Sequence, residues 1–239
     1  LKKLICTIQI VGFLLFVTTG LSQATSLIIT GVIDGPLSGG TPKAVELYAL
    51  NDISDMSIYG LGSANNGGGS DGIEFTFPTI SASTGDFLYV ASANEEFKNF
   101  FSFTPNSITP SANINGDDAI ELFRNSTVID VFGNIAMDGT GQPWEYLDGW
   151  AYRTDATGGL DTSTFIVSEW YFSSPNALDG ETSNNGAAIP FPAGTFSPGS
   201  TPPPVPSPEP STILLLGSGI AVLSGKRLRR KIGRKTLKK

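Results

Sequence analysis

Between residues 25 and 197 the apolar residues come in short β-branched and aromatic runs. Each run is closed by Gly, Asn, Asp, Ser or Pro, and helical periodicity is scarce. Punctuation at that spacing starves long helices and is the pattern of an antiparallel all-β domain. Residues 27–33 (LIITGVI) read as a first strand, stopped by the turn Asp34-Gly35-Pro36. Residues 43–48 alternate and read as a second. Residues 73–77 alternate Ile/Phe/Phe against Glu/Thr up to Pro78, and residues 87–90 are apolar on both faces, as in a sandwich interior. The clearest hairpin joins 119–123 to 128–132 through Arg124-Asn125-Ser126-Thr127, with Asn115-Gly116-Asp117 as the turn before it. Residues 95–103 (EEFKNFFSF) give the one plausible helix, with Phe97, Phe100 and Phe101 on one side. The expected core is Val45, Leu47, Phe75, Phe77, Leu88, Val90, Ile120, Leu122, Ile129 and Val131. The length of 239 residues allows one such domain with tails.

The two ends differ in composition from this body. After Lys2-Lys3, fourteen residues (4–17) are apolar apart from Thr7, Gln9 and Gly12, and small residues stand at Ser22 and Ala24. A charged start, an apolar stretch and small residues before a cut describe a secretory signal peptide over 1–24, cleaved after Ala24 by signal peptidase. Cys6, the single cysteine, is expected to leave with it. At the other end, residues 198–210 (PGSTPPPVPSPEP) hold seven prolines and read as a stiff extended linker. Residues 211–225 carry no charge, and 226–239 carry nine basic residues and no acidic one. An apolar helix followed by a basic cluster is held with the cluster on the cytoplasmic side, so the body faces outward. Fifteen residues rise roughly 22 Å, short of the ~20 residues that span a bilayer comfortably. That length suits a temporary stop better than a permanent anchor.

Pro208-Glu209-Pro210-Ser211-Thr212, the apolar run and the basic tail occur in this order at the end of the chain. Together, over 208–239, they resemble the PEP-CTERM sorting signal. The resemblance implies recognition by an exosortase, a membrane cysteine protease of Gram-negative bacteria that make extracellular polysaccharide. Processing near the motif would leave the body at the outer surface or in the matrix.

The body also resembles the lamin-tail domain, an immunoglobulin-like sandwich found in many secreted bacterial proteins. The matching stretches are 43–50 (KAVELYAL), 55–61 (DMSIYGL), 85–91 (GDFLYVA), 115–122 (NGDDAIEL) and 126–133 (STVIDVFG). Ile58-Tyr59 stand where the family commonly has Gly-Trp, and a Gly/Asn loop is inserted at 63–71. Residues 144–153 and 165–170 are similar to the continuation that follows such domains in bacterial surface and nuclease-bearing proteins. Nothing in the chain resembles the nuclease itself. The expected fold is therefore an immunoglobulin-like antiparallel β-sandwich over 25–197, flanked by an N-terminal signal helix and a short C-terminal transmembrane helix.

Composition narrows the chemistry. The chain has no histidine, which removes Ser-His-Asp hydrolysis, Cys-His nucleophiles and His-ligated zinc. All 22 acidic residues lie between Asp34 and Glu209, where only Lys43, Lys98, Arg124 and Arg153 oppose them, a net charge of −18. Such a body repels phosphate backbones, so no direct nucleic-acid partner is expected. Acidic surfaces do adsorb Ca²⁺, and Asn115, Asp117 and Asp118 form the densest oxygen-bearing turn. They are the candidate calcium ligands, against the plainer reading of solvated surface carboxylates. Trp150 and Tyr152, two apart on one strand face, are candidates for stacking on sugars, against burial in the core. Glu145 and Asp148 beside them raise a glycosidase alternative, which needs two carboxylates facing across a cleft. The expected function is a non-catalytic exported module that contacts polysaccharide or protein at the cell surface. A carbohydrate-active enzyme and an accessory module to an extracellular nuclease are the rivals.

Overall fold

The computed structural model describes residues 25–154 and 164–199. The expected signal peptide with its cut after Ala24, the expected sorting motif Pro208-Glu209-Pro210, the expected transmembrane helix over 211–225 and the basic tail 226–239 lie outside the described residues. Among the described residues no helix is long and apolar enough to cross a membrane.

Strands dominate. In chain order they are β1 (Leu27–Leu37), β2 (Thr41–Ala49), β3 (Tyr59–Ala64), β4 (Phe75–Thr76) and β5 (Phe87–Ala91). The one α-helix, α1 (Asn94–Phe101), comes next, then β6 (Ser107–Ile108), β7 (Ala119–Arg124), β8 (Thr127–Phe132), β9 (Gly149–Arg153) and β10 (Trp170–Phe172). They form a six-stranded sheet in the order β10-β9-β1-β2-β5-β6 and a four-stranded sheet in the order β4-β3-β7-β8. All pairings are antiparallel except β5 with β6. The two sheets share one apolar core, as in a β-sandwich. Leu27, Ile29, Val45, Leu47, Leu88 and Val90 of the large sheet meet Leu61, Ile120, Leu122 and Phe132 of the small one.

The large sheet is covered on its other face too. Ile28, Ile33, Ala44, Tyr89, Trp150 and Tyr152 pack against Phe97, Phe100 and Phe101 of α1, and against Leu178, Phe191 and Phe196 of the C-terminal segment. This third layer explains why β1 and β5 read as continuous apolar runs. The helix forms where expected, with its three phenylalanines buried and Glu95 and Glu96 in its first turn, where the helix dipole favours them.

A bulge in β1 organises the join between the sheets. Ile29 pairs with Leu47 and Gly31 with Glu46, which leaves Thr30 as the extra residue. At this irregularity the Ile29 N–H donates to Asp130 Oδ2 of β8 at 2.8 Å. The Ile29 carbonyl accepts from Arg153 Nε of β9 at 2.6 Å. Arg153 Nη2 closes the circuit on both oxygens of Asp130, at 2.6 and 2.7 Å. The guanidinium also lies 4.6 Å from the centre of the Trp170 ring. Neither ion reaches solvent: Asp130 is 0% and Arg153 2% exposed.

Three strand expectations need correction. β1 does not stop at Asp34-Gly35-Pro36. It runs to Leu37, because Gly35 and Pro36 sit in a second register shift where no ladder donor is needed, and the turn falls at Ser38-Gly39-Gly40. The segment 73–77 contributes only Phe75–Thr76 as a short edge strand, with Ile73 exposed and Phe77 buried. The β7–β8 hairpin is tighter than four residues. Asn125 and Ser126 alone make the turn, both at positive φ (47° and 64°), as a type I′ hairpin requires. A bulge after Leu122 then turns Phe132 into the core. Val131 instead pairs with Glu121 on the opposite face, while Ile129 packs on the core half-buried. The remaining expected core residues are buried in the shared core, with Phe75 half-buried.

Two backbone positions give opposite-signed tests. A Cβ on Gly116 would lie 2.0 Å from the backbone of Leu147, which cannot yield as a side-chain tip would. Gly116→Ala is expected to lower the unfolding free energy by about 2 kcal/mol or more through overpacking. Ser126→Gly relieves a left-handed L-residue and is expected to raise it by roughly 0.5 kcal/mol. Urea unfolding of the two variants checks both signs, and a tolerated Gly116→Ala would contradict the loop packing.

Candidate functional site

The loop carrying the candidate calcium ligands is a structural knot. Three of its four carboxylate oxygens and the Asn115 amide oxygen accept from protein donors. Asp118 is 1% exposed, and its two oxygens accept the N–H groups of Asn66 (2.9 Å) and Asn115 (2.7 Å). Asn115 Oδ1 accepts from Lys43 Nζ at 3.0 Å. The same Lys43 is paired with Asp34, whose other oxygen accepts the Gly116 N–H at 3.0 Å. Asp117 Oδ2 accepts from Thr140 at 3.1 Å, while its Oδ1 is buried without a partner. Burial raises the pKa of both Asp34 and Asp118. Lys43 pulls Asp34 part of the way back, and the two N–H groups do the same for Asp118. Among the described residues no group of three or more His, Cys, Asp or Glu side chains is placed to hold a metal. Asn115 and Asp118 meet backbone and lysine here, so the loop fastens the ends of β1 and β2 to the β7 approach.

Trp150 and Tyr152 do share one strand face, as their spacing requires, but that face is inside. They are 4% and 3% exposed and both rings meet Phe191 edge-on. Trp144 and Trp170 lie in the other core cluster, between the two sheets. What the Trp150 and Tyr152 polar ends do is hold the C-terminal segment. Trp150 Nε1 donates to the Ile189 carbonyl at 3.0 Å. Tyr152 Oη accepts the Phe196 N–H and donates to Glu46 Oε1, each at 2.8 Å. Glu46, 1% exposed, also accepts from the Thr30 hydroxyl (2.7 Å) and the Gly194 N–H (2.8 Å). Burial raises its pKa above the usual glutamate range, and these bonds offset only part of that rise. Sequence reasoning missed Glu46 because it stands on the outward side of the alternating KAVELY strand, a position that looks solvated until a third layer covers it.

Glu145 Oε2 accepts the Gly141 N–H at 2.9 Å within its own turn. Asp148 adopts a positive φ of 43° at the entry to β9, and burial, then the nearby Asp179, raises its pKa.

Glu121, like Asp117, keeps a buried oxygen without a protein partner. Glu121 lies on β7 opposite Val131, on the face of the four-stranded sheet turned from the core. It is 2% exposed, and its Oε2 is buried with no hydrogen-bond partner. An unsatisfied buried polar atom costs about 1–3 kcal/mol, and more when it is charged. It opens on a pocket of about 280 Å³ beside the β8 edge, whose lining includes Val131, Asn134, Ile135, Thr164 and Phe165. Phe165 rests against Phe132 and Trp144, 5.5 and 6.1 Å between ring centres, so one wall of the pocket is fixed by the core. Asn134 and Thr164 are exposed at the rim. No sequence signal marked Glu121, since an acidic residue between Ile120 and Leu122 reads as an ordinary solvent-facing position. Comparisons with protein-family models, with curated proteins and with solved structures find no match.

The Glu46 network predicts a pH dependence. An acid whose pKa is raised by folding contributes most when protonated. That contribution is complete below the unfolded value of about 4.5 and is lost as pH rises through the higher folded value. Glu46→Gln cannot titrate. The variant is therefore expected to gain stability relative to wild type as the pH goes from about 4 to 8. Paired urea titrations read this, and a pH-independent difference would contradict it.

Proposed function

We propose that the chain is a non-catalytic exported module that contacts polysaccharide or protein at the outer cell surface or in the extracellular matrix. In this reading residues 1–24 direct export and are removed after Ala24. Residues 211–225 then hold the body outside the membrane, with the basic tail 226–239 in the cytoplasm. An exosortase recognises Pro208-Glu209-Pro210 and cuts the tether. The body is a lamin-tail-like domain, its two sheets arranged in the immunoglobulin manner.

The observation that carries the binding role is the Glu121 pocket, where a buried carboxylate oxygen has no protein donor and a ligand could supply one. The strongly acidic body supports the same reading. Its surplus of negative charge keeps an exported protein soluble and draws in cationic or hydrogen-bond-donating surfaces. Delivery and binding are separable. For delivery, Glu209→Ala is expected to leave a longer, membrane-bound precursor in cell fractions probed by immunoblot. Unchanged release of the variant would contradict exosortase recognition.

A further inference from the structure

We propose that the Glu121 pocket is a subsite for a cationic amino sugar of an extracellular polysaccharide, an inference that rests on the polysaccharide-contacting reading above. Glu121 lines the pocket, and its Oε2 is buried and unpartnered. The lining holds no basic side chain, so nothing in it neutralises that oxygen. An ammonium is the donor that satisfies a buried carboxylate in both charge and hydrogen bonding. An acidic sugar is excluded by the same logic, because its carboxylate would face Glu121 inside a body of net charge −18.

The rest of the lining favours a ring over a straight stem. Val131 and Ile135 give apolar surface for the C–H face of a sugar, beside the half-buried Phe165 ring. At the rim, Asn134 Oδ1 is occupied by the Ala136 N–H, which leaves its amide NH₂ to donate outward. Thr164, also in the lining, offers a hydroxyl. A lysine side chain would satisfy Glu121 but meet these two rim groups with methylenes, whereas ring hydroxyls pair with both. The volume of about 280 Å³ lies at the small end for ligand pockets and accommodates one ring, with the chain continuing through the open mouth.

Calorimetric titration of the full exported protein at neutral pH tests this with three probes. They are a glucosamine oligomer, its fully N-acetylated counterpart and a lysine-rich peptide. The glucosamine oligomer is expected to bind at least tenfold more tightly than the acetylated one. Glu121→Gln, with an unchanged unfolding midpoint, is expected to erase that preference. Should that variant fail to fold, Asn134→Ala and Thr164→Ala, both at exposed positions, are each expected to weaken glucosamine-oligomer binding several-fold. Equal affinity for the two oligomers overturns the inference. So do unchanged binding by the folded Glu121→Gln or by both rim variants, and tighter capture of the lysine-rich peptide than of either sugar. Binding of both oligomers without preference would sink the amino-sugar subsite and leave the polysaccharide reading standing. No binding of any polysaccharide or surface protein would remove both.

Discussion

The two sheets are joined by a buried ion pair that satisfies a defect in a strand. Thr30 is one residue too many for the ladder between β1 and β2, so Ile29 turns its N–H and carbonyl towards the core. Buried backbone groups need partners. Asp130 from the small sheet takes the N–H and Arg153 from the large sheet takes the carbonyl, and the two ions take each other. Each of the three would be costly alone in that place. A buried pair of this kind adds little over a hydrophobic replacement, yet losing one member costs about 3–5 kcal/mol. Its effect is therefore on which arrangement forms. Only one register of β1 places Ile29 between these side chains.

The same economy of charge runs through the body. It has few cations, and two of them, Lys43 and Arg153, are buried in pairs with Asp34 and Asp130. Arg124 lies over the Tyr59 ring instead, 5.9 Å from its centre. Glu46 has no cation among its hydrogen-bond partners and is held by hydroxyls and one backbone N–H, which bind the C-terminal segment across β1 and β2. Acidic residues that composition alone assigns to the surface thus act as internal fasteners. Against that background Glu121 is buried with an oxygen that fastens nothing, as one oxygen of Asp117 also does, and it lines the pocket beside β8.

Much of the strand framework was legible. Val45 with Leu47, Leu88 with Val90, and Ile120 with Leu122 alternate on a two-residue period and lie in the shared core as that period demands. Phe97, Phe100 and Phe101 at helical spacing gave α1 its buried side. The third layer was not legible. The segment around Asn184, Phe191 and Phe196 is rich in Gly, Pro and Asn and lacks periodicity, so it reads as a loop. Its order comes from long-range bonds to Glu46 and Tyr152 rather than from local pattern. That covering layer is also why Trp150 and Tyr152 are internal, and why a strand period that placed them together could not say which side faced water. The Thr30 bulge and the shift after Leu122 were invisible for a related reason: a one-residue slip leaves composition unchanged and moves every later side chain to the other face.

The claim that one inter-sheet circuit sets the arrangement is tested most directly by a double-mutant cycle on Asp130 and Arg153, read by urea unfolding. The account predicts strong coupling, with the double Ala variant losing barely more stability than either single variant, because the first loss already strands the partner. Losses that simply add would mean the two ions act independently, and would contradict it.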